Sequence, residues 1–179
     1  MTDDYAERLR ANREEKDRFL AEHRQSPIPP AERDGFDGLP YFEPDPDYRV
    51  EATVTAHDDP GVVEMDTSDG RTVRYRRIVT FEFSVDGEAQ QLNGYRREDG
   101  DEESVFVPFR DKTTGQQTYA DGRYMELEAD GELDDGETVT LDFNLAYNPF
   151  CAFSETFSCP LPPAENWLEV AIPAGERAP

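Results

Sequence analysis

From Tyr48 onward the chain alternates. Tyr48, Val50, Ala52, Val54 and Ala56 are separated by Arg49, Glu51, Thr53, Thr55 and His57, the period of two that turns one face of a strand toward a core. Asp59-Pro60-Gly61 turns the chain into a second strand, "VVEMDTS". A Ser68-Asp69-Gly70 turn opens a long run to Val85, in which Val79, Phe81, Phe83 and Val85 share a face. Asp86-Gly87 is a hairpin signal, because both central residues of the tight turn need positive φ. "AQQLNGY" and "SVFVPF" return, and Pro108 in the latter predicts an edge strand or a bulge. "RYMELEAD" turns Met125, Leu127 and Ala129 inward and Glu126, Glu128 and Asp130 outward. In "TVTLDFNLAY" Val139, Leu141, Phe143, Leu145 and Tyr147 fall on one face, leaving Asp142 and Asn144 on the other and Asn148 at the strand end. "WLEVAI" predicts a closing strand.

The first 47 residues follow a different pattern. Residues 3 to 24 lack Gly and Pro and are rich in Ala, Leu, Glu and Arg, which favours a helix. Asp4 and Glu7 have the spacing of a capping box, and Ser26-Pro27 ends the run. Its apolar stripe is thin (Tyr5, Leu9, Phe19, Leu20), so the helix is expected to lie on the domain rather than inside it. Six prolines between 26 and 47 mark an irregular linker packed down by Phe36, Leu39, Tyr41 and Phe42. The expected organisation is a helix over 1–25, a linker over 26–47 and one β domain over 48–179. About eight short strands with no helix between them exclude parallel βαβ folds. The fold class expected is mainly β, an antiparallel meander closing into a barrel, with a sandwich as the alternative.

Charge adds a setting. The chain carries 41 acidic and 18 basic residues, a net charge of −23. Only Lys16 and Lys112 are lysine; every other basic residue is arginine. This balance suits a cytoplasm held at molar salt, where a Debye length of about 3 Å screens carboxylate repulsion. An acidic protein binding a basic partner is the alternative. No basic stripe supports nucleic-acid binding. No apolar core with a cleavage site opens the chain and no run of apolar residues is long enough to span a bilayer, so a cytoplasmic, non-membrane protein is expected.

Candidate chemistry gathers in two segments. "RDKTTGQQTYADGR" supplies Arg110, Asp111, Thr113, Thr114, Tyr119 and Arg123 around Gly115 and Gly122. It lacks a phosphate-loop pattern and reads equally as a polar hairpin loop. The second, residues 142 to 168, is weakly charged and holds both cysteines, the only tryptophan and four prolines. Asp142, Asn144, Tyr147 and Asn148 line its start, as a pocket wall or as a solvated face. Cys151 and Cys159 admit three readings: small buried hydrophobes, a disulfide disfavoured by a reducing cytoplasm, or a nucleophile. His23 and His57 are the only histidines, and a zinc site needs four ligands, so no metal is expected and no cofactor is implied.

These segments carry a resemblance. Asp111, Thr113, Gly115, Thr118, Tyr119 and Arg123 match the motif of the family known as domain of unknown function 1684. The match continues through Asp142, Phe143, Asn144, Ala146, Tyr147, Asn148, Pro149, Cys151, Cys159, Pro160, Asn166 and Gly175-Glu176, and covers roughly residues 10 to 177. The resemblance brings no activity with it. It implies that the two segments form facing walls of one site, with the prolines holding a packed closing loop.

Three functions are compatible with these observations. The first is a module binding a small polar ligand at one end of the barrel through Arg110, Asp111, Thr113, Tyr119, Arg123, Asp142, Asn144, Tyr147, Asn148, Cys151 and Cys159. The second is a hydrolase or transferase using Cys151 or Asp142. The third is a structural protein without a ligand.

Overall fold

A computed structural model describes residues 2–99, 104–128 and 133–179. Helix α1 spans Thr2–Glu22, and among the described residues seven strands follow. These are β1 (Arg49–Ala56), β2 (Val62–Asp66), β3 (Thr72–Val85), β4 (Glu88–Arg97), β5 (Ser104–Phe109), β6 (Arg123–Glu128) and β7 (Thr138–Asp142). All pairings are antiparallel, in the order β6-β5-β4-β3-β1-β7, with β2 beside β1 on the long β3. The sheet curls into a half-barrel, the form in which the expected barrel is found. At one point the curl closes: Tyr124 of β6 and Tyr147, just past β7, exchange two backbone hydrogen bonds of 2.9 Å.

The alternation places the core. Val50, Ala52, Val54, Val79, Phe81, Phe83, Val85 and Leu141 are all buried in one cluster inside the curl. At Asp86-Gly87 both residues take positive φ, 51° and 80°, as the tight hairpin requires. Each fully buried Phe or Leu in such a cluster contributes about 1.5–3 kcal/mol. The outer face of β3 to β6 is buried as well. Tyr75, Tyr95, Phe106 and Tyr124 project there and are covered by Cys159, Cys151, Tyr147 and Phe157. The weakly charged stretch after β7 is therefore a cover over the second face of the sheet.

Four local expectations change. The strand after Thr138 stops at Asp142, whose carboxylate accepts from Asn144 N (3.1 Å) and starts a 3-10 turn over Phe143–Leu145. The turn shifts the phase, so Asn144 is buried while Leu145 is 54% exposed. "WLEVAI" is not a strand: Leu168, Val170, Ile172 and Ala174 are buried in alternation, but the segment lies beside 110–112 through separate contacts. Pro108 sits inside the sheet, paired with Tyr124 on β6. It is tolerated because the β4 ladder, paired with β5 at Tyr95–Phe106, does not continue to Pro108, where no N–H is called for and Asn166 bonds the carbonyl (2.7 Å). Helix α1 begins at Thr2, so Asp4 lies within it and pairs with Arg8 (3.8 Å) instead of capping. Ala129 and Asp130 lie outside the described residues.

Polar contacts hold α1 to the sheet. Tyr5, Leu9 and Leu20 are buried while Phe19 stacks on His23 at the surface (4.6 Å). Arg13 donates to Phe42 O (2.8 Å), and Asp17 accepts from Leu39 N (3.0 Å) and Tyr41 OH (3.1 Å). Leu39 and Ile28 of the linker pack on Leu20. No helix among the described residues is long and apolar enough to cross a membrane.

Candidate functional site

Asp111 and Arg123 are buried at the base of the polar hairpin, and their hydrogen bonds are made within the fold, with Arg123 Nε left without a partner. The Asp111 carboxylate accepts from the hydroxyls of Thr113 (2.8 Å) and Thr114 (3.1 Å) and from Ile172 N (2.5 Å). Arg123 stands 3.5 Å away and is fully buried. It donates to the carbonyls of Ile172 (2.9 Å), Ala174 and Glu176 (3.2 Å). Burial lowers the affinity of its guanidinium for its proton, to a pKa of about 10, against the pull of Asp111 and Glu176. Among the described residues only Ile172 O has a further backbone donor, Ala174 N (2.8 Å), so the arginine fork supplies the donors to the other two carbonyls. Gly175 is required there: at φ 84° a Cβ would lie 2.7 Å from Ala146 O.

Asp142, Asn144 and Asn148 are similarly engaged. Asp142 accepts from Tyr5 OH (2.5 Å), Asn144 N and Asn144 Nδ2 (3.0 Å), with Arg49 3.4 Å away. Burial and the hydrogen bond to Asp142 push the Tyr5 hydroxyl well above its usual pKa. The Asn144 amide pairs with the backbone of Asp45 in both directions, at 2.9 and 2.8 Å. Asn148 N donates to Glu176 Oε1 (3.0 Å) and its amide to Arg177 O (2.9 Å). Glu176 also receives Lys16 of α1. Glu176 thus links the Arg123 group to the Asn148 group, whereas Asp142 and Asn144 face α1 and the linker. Tyr147 donates to Glu126 Oε1 (3.0 Å).

Asn166, outside the candidate set, has the same kind of role. Its side chain accepts from Asn93 N (2.8 Å) and donates to Asn93 O (3.0 Å) and Pro108 O (2.7 Å). It therefore bridges β4 and β5 where their ladder has ended. A side-chain amide standing in for a peptide leaves no pattern in sequence beyond the motif itself.

The thiols are together. Both cysteines are free, Cys151 half-buried and Cys159 buried. Cys159 donates a hydrogen bond to Cys151, which lowers the Cys151 pKa to about 6, helped by the hydroxyls of Tyr119 (3.7 Å) and Ser68. Donating that hydrogen bond, together with burial, raises the pKa of Cys159. Burial and the neighbouring Cys151 also raise that of Tyr119, whose hydroxyl lies 3.3 Å from Asp121 Oδ2.

Arg110 and Asp121 are the residues of the first segment that meet Trp167 at an open cleft. They line a cleft of about 350 Å³ with Glu64, Asp66, Pro162 and Trp167. The Arg110 guanidinium lies 4.8 Å from the Trp167 ring centre, and the indole N–H donates to Pro162 O (2.9 Å), which fixes the ring. Trp167 remains 52% exposed. Its other side borders a broader groove lined by Gln90, Gln91, Glu165 and Glu169. Gly122 lets the floor form, since at φ 94° a Cβ would lie 2.8 Å from both Phe109 O and Pro162 Cγ. Trp167, Asp121 and Ser68 are missing from the sequence-derived set, although a lone tryptophan beside "PLPP" was a usable signal. Among the described residues no group of three His, Cys, Asp or Glu side chains could hold a metal ion.

Comparison with known proteins gives a family and a similar solved structure. The model of the family described as "Protein of unknown function (DUF1684)" matches residues 34–177. The solution NMR structure of an uncharacterized protein of Haloarcula marismortui is 64% identical, with a TM-score of 0.76, covering 98% of this chain and 95% of that one. Comparison with curated proteins gives no match.

Proposed function

We infer that this chain, which belongs to the DUF1684 family of proteins of unknown function, binds a small polar ligand bearing an ammonium group in the cleft beside Trp167. The observation carrying this reading is a half-exposed indole, fixed by its own hydrogen bond, facing a cleft of about 350 Å³. That volume is in the range of small-molecule sites. Arg110 covers part of the ring, and Asp66 and Asp121 offer carboxylates, while Glu64 is already paired with Arg74 (3.4 Å). Two available carboxylates against one guanidinium favour a ligand with a cationic end. The motif residues Asp111, Arg123, Asp142, Asn144 and Asn148 contribute by holding the cleft's supporting loops, since their polar groups, Arg123 Nε and Asn148 Oδ1 excepted, are bonded internally. The setting proposed is the cytoplasm of a salt-adapted cell, supported by the excess of acid, the near absence of lysine and the Haloarcula relative.

Trp167 is the only tryptophan, so tryptophan fluorescence reports on the surroundings of this one ring. Titration with a panel of small amines, amino acids and polyols is expected to give a saturable change with an amine-bearing compound, reduced at least about tenfold in affinity by Asp121→Asn. Linear, unsaturable responses to the whole panel overturn the reading. A second, enzymatic reading with Cys151 as nucleophile is favoured by the Tyr119 hydroxyl, which donates to its sulfur (3.7 Å).

A further inference from the structure

The geometry points to Cys151 and Cys159 as a two-electron redox site that reduces a hydroperoxide, with Cys151 as the attacking sulfur and Cys159 as the resolving one. This goes beyond ligand binding and rests on different residues. Three observations carry it. Cys151 packs against the buried cluster that holds Cys159 although seven residues separate them, which brings the two thiols into one neighbourhood of the covering loop. Their exposures differ in the required sense: Cys151 is half-buried and reachable, while Cys159 is 8% exposed. A hydroxyl donor serves the reachable sulfur, Tyr119 at 3.7 Å from Cys151 Sγ.

Ser68 ties the pair to the sheet. Its Oγ accepts from Cys159 N (3.1 Å), and its own N donates to Cys159 O (3.0 Å). The cysteine that must wait is thus fixed to the turn between β2 and β3. Cys151 follows Pro149 in a short 3-10 turn, at the start of the covering loop. Tyr119 has one proton and two acceptors, Asp121 and Cys151. When Cys151 is a thiolate, that proton is best placed on the sulfur side, where it stabilises the nucleophile.

The reaction balances as follows. The Cys151 thiolate attacks the terminal oxygen of a hydroperoxide, ROOH, and the O–O bond breaks. Cys151 becomes a sulfenic acid and the alkoxide leaves, taking a proton from solvent to give ROH. The Cys159 thiol gives its proton to solvent and its sulfur attacks Cys151 Sγ. The S–O bond breaks, hydroxide leaves and is protonated to water, and a disulfide remains. Two thiols lose two electrons and the peroxide gains them.

The test uses the full chain, reduced and freed of reductant, with hydrogen peroxide as the probe. One equivalent is expected to remove both thiols from one chain, with a loss of two mass units and no dimer. The rate should rise with pH through about 6, following the Cys151 thiolate, and level off by about pH 7.5. In Cys159→Ser the reaction should stop at a sulfenic acid on Cys151 that dimedone traps. Cys151→Ser should leave Cys159 unmodified. Persistence of both thiols under excess peroxide, labelling of Cys159 before Cys151, a disulfide between two chains, or overoxidation without a disulfide each overturn the proposal. The wild-type mass and pH measurements decide the matter even where a serine variant does not fold.

Discussion

Arg123 and Asp111 form an ion pair at 3.5 Å with neither side chain exposed, and the arginine's other donors serve three carbonyls of the closing segment. A buried pair is costly to desolvate and stabilises only when its remaining valences are filled. Here all but Arg123 Nε are filled, by hydroxyls and by backbone groups of the closing segment. The pair is therefore the device that fastens residues 172–176 into the core.

Replacing Arg123 with Met is expected to destabilise the fold by about 3–5 kcal/mol, because Asp111 is left buried and unpaired. The double variant Asp111→Asn/Arg123→Met should not recover wild-type stability, since the carbonyls of Ala174 and Glu176 lose their donor and Ile172 O keeps only Ala174 N. Arg123→Lys should also fail to substitute, for want of the planar fork. Denaturant unfolding checks this, and a double variant as stable as wild type would contradict it.

Asn166→Ala removes an acceptor and two donors used by Asn93 and Pro108. With three buried backbone groups unsatisfied, a loss of about 3 kcal/mol or more is expected. Asn166→Asp should be no better, because it sets a carboxylate against two carbonyl oxygens. Thermal melts of the two variants compare them directly.

Asp142→Ala should loosen α1 by removing the acceptor of Tyr5 OH and the partner of Arg49. The expected cost is about 1–3 kcal/mol. Amide exchange should accelerate within residues 2–22 while β3 and β4 keep their protection. Uniform acceleration across the chain would mean that α1 is not a separately fastened element.

Salt should stabilise the fold. With 41 acidic residues against 18 basic, unscreened repulsion opposes compaction. A melting temperature that rises between about 0.1 and 3 M KCl is expected, because screening tightens over that range. A flat profile contradicts the reading of salt adaptation.

Much of the sheet was legible because its signal is local. Val79, Phe81, Phe83 and Val85 alternate without interruption, and Asp86-Gly87 admits few conformations. The run through Phe143, Asn144 and Leu145 was misread because the alternation continues in sequence after the backbone has left the strand. Asp142, acting as a cap, makes that switch, and a capping carboxylate looks like any outward-facing acid. Asn166 and Arg123 were motif residues whose roles depend on partners 49 to 73 positions away, which no local pattern encodes. The cleft was missed for a related reason. Trp167 meets Arg110 only when the closing segment passes beside the polar hairpin.

The indole N–H of Trp167 tests the binding reading most directly, because it is the only one in the chain and borders the cleft. In a proton–nitrogen correlation spectrum it gives one isolated indole signal. Titration with an amine-bearing compound that saturates the fluorescence response is expected to shift that signal along a saturable curve, together with the backbone amides of Arg110 and Asp121 and not those of α1. Movement of amides elsewhere while the indole signal stays fixed at saturation would contradict the account.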